Sequence, residues 1–201
     1  MAALTVERAF QSLEFVKKNI SNISTTNRLE MASNVNRQIF DELVGTNPEQ
    51  VPATEVTFTV TGDPFTYTLP ADVESTTFKD GGLFVKRDGA LIQERLTPQG
   101  QEVNRVQGYK YRGSTLTIQG LGNNQEVIFR YIPELARFTA TTDTFVVTDR
   151  YLELVRAGLL HQYAIFDQDP AAEVEADQRF RLLMTDFIDT KRVTSDVLTF
   201  F

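Results

Sequence analysis

From Thr5 to Ile20 the apolar residues Val6, Ala9, Phe10, Leu13, Val16 and Ile20 recur every three or four positions, which is the spacing of one helix face. Thr5 stands where an N-cap is wanted, and Lys17 and Lys18 lie near the end that favours positive charge. A first helix is predicted here. After the polar break SNISTT, the stretch NRLEMASNVNRQIFDELVG puts Leu29, Ala32, Ile39 and Leu43 on one face, with Gly45 expected as the left-handed residue that ends a second helix. A short connection makes that helix antiparallel to the first. The two prolines of TNPEQVPA then break regular structure.

At Glu55 the period falls from near 3.6 to 2. Val56, Phe58 and Val60 alternate with threonines, as do Phe65, Tyr67 and Leu69, so two half-buried strands flank a Gly-Asp-Pro turn. LFVKR, ALIQERL, YKYR, STLTIQ and EVIFRYI read as further strands. Hairpin signals stand at Asp88-Gly89, at Arg112-Gly113-Ser114 and along Gly120 to Asn124. A Thr-rich loop follows Pro133 and leads to DRYLELVRAGLLHQYAIF, where Tyr151, Leu154, Gly158, His161 and Ile165 form one row. Leu152, Val155, Leu159, Tyr163 and Phe166 form the row beside it, so this helix is apolar over a wide arc. Asp169 caps a last helix that opens with Pro170 and buries Ala176, Phe180, Leu183 and Phe187. The closing KRVTSDVLTFF has no helical period and reads as an extended tail.

These elements predict an α+β protein: a four-helix core made from N- and C-terminal helix pairs, a central antiparallel β insertion and an extended C-terminal tail. The expected divisions are 1–54 for the first helix pair, 55–132 for the insertion, 133–190 for the second pair and 191–201 for the tail. The helices, rather than the β unit, are expected to form the structural core, with Leu154, Leu159, Phe166, Phe180, Leu183 and Phe187 on the facing stripes.

Composition narrows the class. With 41% hydrophobic and 23% charged residues the chain lies far from the disordered range. The apolar runs are too short to span a bilayer, and MAALTVERAF lacks the order of a signal peptide, so an intracellular product without membrane association is expected. The absence of cysteine removes disulfides, thiolate metal sites and cysteine nucleophiles. A net charge of -7 argues against a grip on nucleic acid through its phosphates.

Candidate chemistry is sparse. His161, the one histidine, lies in an apolar helix row with no G-x-S-x-G elbow in the chain, and is read as a satisfied packing residue. Asp167 and Asp169 imitate the start of a calcium loop, but Ala171, Ala172 and Gln178 fill positions that such a loop reserves for other residues. Gly120 and Gly122 lack the third glycine of a dinucleotide fingerprint and stand between strands. RVQGYKYRG interleaves Arg105, Lys110 and Arg112 with Tyr109 and Tyr111, the mixture that stacks bases and holds phosphates, but the strand period places the tyrosines on one face and Lys110 and Arg112 on the other, so a core face and a solvated one explain it equally well. No cofactor, metal or catalytic residue is assigned. The charge run is more telling: from Asp167 to Asp189 seven acids face two bases, so Glu173, Glu175 and Asp177 are candidates for an acidic interface or channel wall.

The order of elements, together with NRLEMASNVNRQIFDEL, FTYTLPAD, RYIPEL and DRYLELVRAGLLHQYAIFDQDPAAEVEADQRFRLLMTDF, resembles the head-to-tail adaptor (connector, or head completion) proteins of tailed bacteriophages. That resemblance implies a structural virion protein, made in the host cytoplasm, rather than an enzyme. By resemblance it would form a dodecameric ring under the portal protein at the head-tail junction, with DNA passing through it without sequence-specific binding. Tail or nozzle proteins would then attach to it as a platform. The C-terminal segment of such proteins commonly reaches the portal, which makes Lys191, Arg192, Val197, Leu198, Phe200 and Phe201 candidate portal-binding residues. Ala157, Gly158 and Ala164 allow the close helix crossing that such packing needs. The alternatives are a tail or capsid β protein or a carbohydrate-binding module centred on 55–132, and a small hydrolase, which would need His161 exposed beside a carboxylate.

Overall fold

The computed structural model describes residues 2–48, 51–76, 82–87, 92–95 and 108–198. It divides into two units, Met1–Val51 with Leu135–Phe201, and Pro52–Glu134.

In the first unit a short strand, β1 (Ala3–Thr5), runs directly into helix α1 (Val6–Glu14). Thr5 turns the chain by accepting from the Arg8 N–H at 3.2 Å, the expected cap, and α1 buries Val6, Ala9, Phe10 and Leu13. The helix stops sooner than its apolar spacing predicts. Ile20 is buried from a 3₁₀ turn (Lys18–Asn22) instead, and Val16 is exposed. Ser24 accepts from the Asn27 N–H and opens α2 (Thr25–Thr46), which runs through Gly45, so that glycine is helical rather than left-handed.

The second unit begins with β2 (Thr54–Thr59), β3 (Phe65–Thr68) and β4 (Val73–Ser75). It continues with β5 (Leu83–Arg87), β6 (Ile92–Arg95), β7 (Gly108–Arg112), β8 (Thr115–Gln119) and β9 (Glu126–Pro133). These make two antiparallel assemblies. One has the order β2-β9-β5-β6 with β4 also paired to β9, and the other has β3-β8-β7. Although β2 and β3 are consecutive, they do not pair: Val56 lies opposite Phe129 in β9, and Tyr67 opposite Leu116 in β8. The β7–β8 hairpin turns at Gly113, whose φ of 58° suits glycine. The Asp88-Gly89 hairpin signal lies outside the described residues.

The chain returns to the first unit through β10 (Thr144–Thr148), then α3 (Leu152–Phe166) and α4 (Pro170–Leu198). β10 pairs antiparallel with β1. Asp169 caps α4 as expected, its carboxylate accepting from the Ala172 N–H at 3.1 Å.

The expected four-helix core with a single β insertion and an extended tail is therefore not the fold. The helical unit contains its own two-stranded sheet, because Phe145 and Val147 alternate inward within the segment read as a Thr-rich loop. The middle of the chain forms two strand assemblies rather than one. Residues 191–198 continue α4, since backbone hydrogen bonds carry a helix onward whether or not an apolar stripe continues.

The core is not confined to the helices either. The β unit has a cluster of its own that includes Leu83, Leu116, Ile118, Val127 and Phe129. In the helical unit Leu154, Leu159, Phe180 and Phe187 are buried, but Leu183 is only half-buried and Phe166 is exposed. Phe166 is the last residue of α3, just before the chain turns at Asp167–Asp169.

Two polar contacts fasten α2 to the returning chain. Asn36, only 1% exposed, accepts from the Val146 N–H of β10 at 2.9 Å, and Ser33 accepts from the Phe138 N–H at 3.0 Å. Asp143 organises the loop before β10 by accepting from the N–H groups of Thr139 at 2.7 Å and Ala140 at 2.9 Å. The carbonyls of Thr141 and Asp143 then receive the Glu7 and Val6 N–H groups at the start of α1. At the centre, α2, α3 and α4 meet at Gly158. A methyl placed there would lie 2.7 Å from Val35 Cγ1 and 2.9 Å from Phe180 Cε2.

Gly158→Ala is expected to lower stability by about 1–3 kcal/mol in chemical denaturation, because overpacking outweighs alanine's helix preference. Adding Val35→Ala should recover part of that loss, and strict additivity of the two changes would show that they do not share the space. The backbone N–H groups of Ala140 and Thr139 hold the Asp143 carboxyl below its usual range. Its contribution to stability should thus be present above the ordinary carboxylate pKa and fade as pH falls through its lowered value. Asp143→Asn should flatten that acid limb of the stability profile, and an unchanged limb would remove Asp143 as its source.

Candidate functional site

Among the described residues, two surface features of the helical unit carry more than ordinary solvation. The first is a groove of about 650 Å³ lined by α2, α3 and α4. Below the close approach at Gly158, His161 lines it from α3, Gln38, Asp41 and Glu42 from α2, and Asp177, Phe180, Arg181 and Met184 from α4. Asp41 pairs with Arg37 at 2.8 Å and Asp177 with Arg181 at 2.7 Å. The hydrogen bond and charge of Asp177 raise the Arg181 pKa above its ordinary value. Glu42 is exposed.

His161 is half-buried here, and its Nδ1 is shielded from solvent without a hydrogen-bond partner, so it is not a satisfied packing residue. The one hydroxyl lining the groove, on Thr185, donates to the Arg181 carbonyl at 3.0 Å. No group of three or more His, Asp or Glu among the described residues is placed to hold a metal.

The second feature is the turn after α1. Phe15 is 93% exposed and Val16 55%. The turn is well made, because the Leu13 carbonyl accepts from the N–H groups of Val16 and Lys17 at 2.9 and 3.0 Å. Arg28 braces it from α2. Its guanidinium donates to the carbonyls of Ile20 at 2.9 Å and Ile23 at 3.2 Å and to the Glu14 carboxylate at 3.1 Å. Lys17 sets its ammonium 5.7 Å from the centre of the Tyr163 ring.

Sequence reasoning missed both features. Counting Val16 into the first helix's apolar face hid the knuckle, although the dipeptide Phe15-Val16 beside Lys17-Lys18 was a readable sign. The groove has no linear signature, since its walls come from positions 38–42, 161 and 177–185.

The predicted acidic residues do not share one face. Glu173 and Asp177, four apart on α4, lie on one side and are half-buried, while Glu175 is exposed and points away from both. Exposed Ile165 and Phe166 of α3 and Val174 and Leu182 of α4 stand among these acids. Lys191, Arg192, Val197 and Leu198 lie on the last turns of α4, where the backbone alone is described. Phe200 and Phe201 fall outside the described residues. In the β unit Tyr109 and Tyr111 pack inward, their ring centres 5.3 Å apart, while Lys110 and Arg112 are exposed.

What the described residues present is a pair of surfaces, an apolar knuckle and a charged groove. The sequence matches the SU10 adaptor protein family over residues 20–199, nearly its whole length, and the chain belongs to that family of phage head-to-tail adaptors. It is a structural component of a bacteriophage virion. No curated protein matches the sequence. Among the described residues no helix is long and apolar enough to cross a membrane.

Proposed function

We propose that this adaptor assembles as a ring, dodecameric by resemblance, beneath the portal at the head-tail junction. The ring forms part of the passage for DNA and offers the platform on which tail or nozzle proteins build. Membership of the adaptor family carries this reading. Several features support it. The helical unit leaves Phe15, Val16, Ile165, Phe166, Val174 and Leu182 exposed, apolar groups that a neighbouring protein would cover. The net charge of -7 suits a wall past which DNA slides without sticking.

Portal contact is assigned to the C-terminal segment with Lys191, Arg192, Val197, Leu198, Phe200 and Phe201. Because 191–198 are helical, the segment would dock as the end of α4 rather than as an extended arm. Glu173, Glu175 and Asp177 are assigned to the channel or to an acidic interface, with Glu175 the residue most open to a partner.

Negative-stain imaging of the purified chain, alone and mixed with portal, tests the reading: rings or portal-capping density are expected, and a chain that stays monomeric in both conditions overturns it. Deleting residues 193–201 should leave the melting temperature nearly unchanged and abolish portal binding. A truncated chain that binds portal as tightly as the full chain would dismiss the C-terminal contact. Changing Glu173, Glu175 and Asp177 together to Lys should make assembled rings retain DNA or fail to form. That effect should weaken as salt rises, because exposed charges are screened over about 8 Å at physiological ionic strength. Normal assembly and DNA release by this variant at low salt would count against the acidic face.

A further inference from the structure

The knuckle and the groove lie on opposite sides of one helix. Lys17 of the knuckle stacks over Tyr163, whereas His161 lines the groove. These two residues, two apart on α3, point about 200° from each other. We propose that the two features are halves of a single contact between copies of this chain, with the Phe15 knuckle of one copy seated in the groove around His161 of the next. The proposal rests on the ring reading above and names the surfaces that would make the ring.

Complementarity identifies the occupant. Two of the groove's carboxylates are paired, Asp41 with Arg37 and Asp177 with Arg181, which leaves the exposed Glu42 as its net charge beside the apolar Phe180 and Met184. It asks for an apolar group accompanied by positive charge. The chain has several exposed apolar residues, and charge separates them. Ile165, Phe166 and Val174 stand among Asp167, Asp169, Glu173 and Glu175, and would carry carboxylates toward carboxylates. Phe15 and Val16 are followed by Lys17, and the carboxylate before them, Glu14, is already bound by Arg28. Their sign is right.

The knuckle is also prepared for docking. The backbone that carries Phe15 is already ordered by Arg28, so docking has little more than the exposed ring's own rotamers to fix. A knuckle and a groove on opposite sides of α3 make a head-to-tail contact. Every copy then uses both surfaces, and such a contact either closes into a ring or runs on as a filament.

The chain contains no cysteine, so introduced thiols report without background. Val16→Cys and Glu42→Cys are made as separate full-length variants and mixed under a mild oxidant. A disulfide-linked dimer is expected from the mixture and from neither variant alone. Phe15→Asp, at a position too exposed to matter for folding, should keep the normal melting temperature while self-association weakens about tenfold or more. Lys17→Glu should weaken association too, and Glu42→Lys in the same chain should restore part of it. If the unmodified chain forms rings while Phe15→Asp assembles equally well or the mixture gives no linked dimer, the knuckle-in-groove contact is wrong and the ring reading stands. If the unmodified chain associates neither in solution nor in virions, both fall together.

Discussion

The helical unit is organised around the missing side chain of Gly158. Val35 from α2 and Phe180 from α4 approach it so closely that even a methyl would overlap them. One turn later, at His161, α2 and α4 no longer close over α3, and their charged residues line the open groove. Tight packing at one level and separation at the next are two consequences of the same crossing. A larger residue at position 158 would push the outer helices apart and alter the groove's width as well as stability. Asn36 and Ser33 fix the same crossing from the side, because their bonds to Val146 and Phe138 hold α2 against the returning chain.

Periodicity made the long elements legible. The apolar row of α3, the Asp169-Pro170 start of α4 and the alternation in β2, β3 and β8 are all present as sequence patterns that match what the backbone does. The failures have physical causes. Ala3–Thr5 is too short for any period to register, and it pairs with a segment more than a hundred positions away. TFVVT does alternate, but its threonines disguised a strand as a loop. The Gly-Asp-Pro turn joins β2 to β3, but which strands pair is not written in it, since each strand finds its partner far along the chain. Helix ends were misjudged in both directions: α1 stops before its apolar spacing does, and α4 outlasts its own.

The site was less legible than the fold because it is made of relations between distant residues. Three acids two positions apart read as a single acidic face, but a helix turns about 200° over two residues, so Glu175 is separated from Glu173 and Asp177. His161 was correctly placed on an apolar helix row, but a place on such a row did not guarantee that its Nδ1 finds a partner. That depends on what α2 and α4 bring to the same level. A salt bridge such as Asp177–Arg181 likewise spends part of the acidity that composition alone assigns to the surface.

The distribution of charge around exposed apolar groups gives the two sides of the helical unit different partners. Apolar area alone is indiscriminate, and Phe15, Phe166 and Leu182 would each gain by leaving water. The neighbouring charges decide where each can go without bringing like charges together. Phe15 travels with lysines and is excluded from other basic surfaces. Phe166 and Val174 travel with aspartates and glutamates, and are excluded from the acidic groove of another copy. On the proposed contact the acidic apolar surface stays free for a basic neighbour of a different kind.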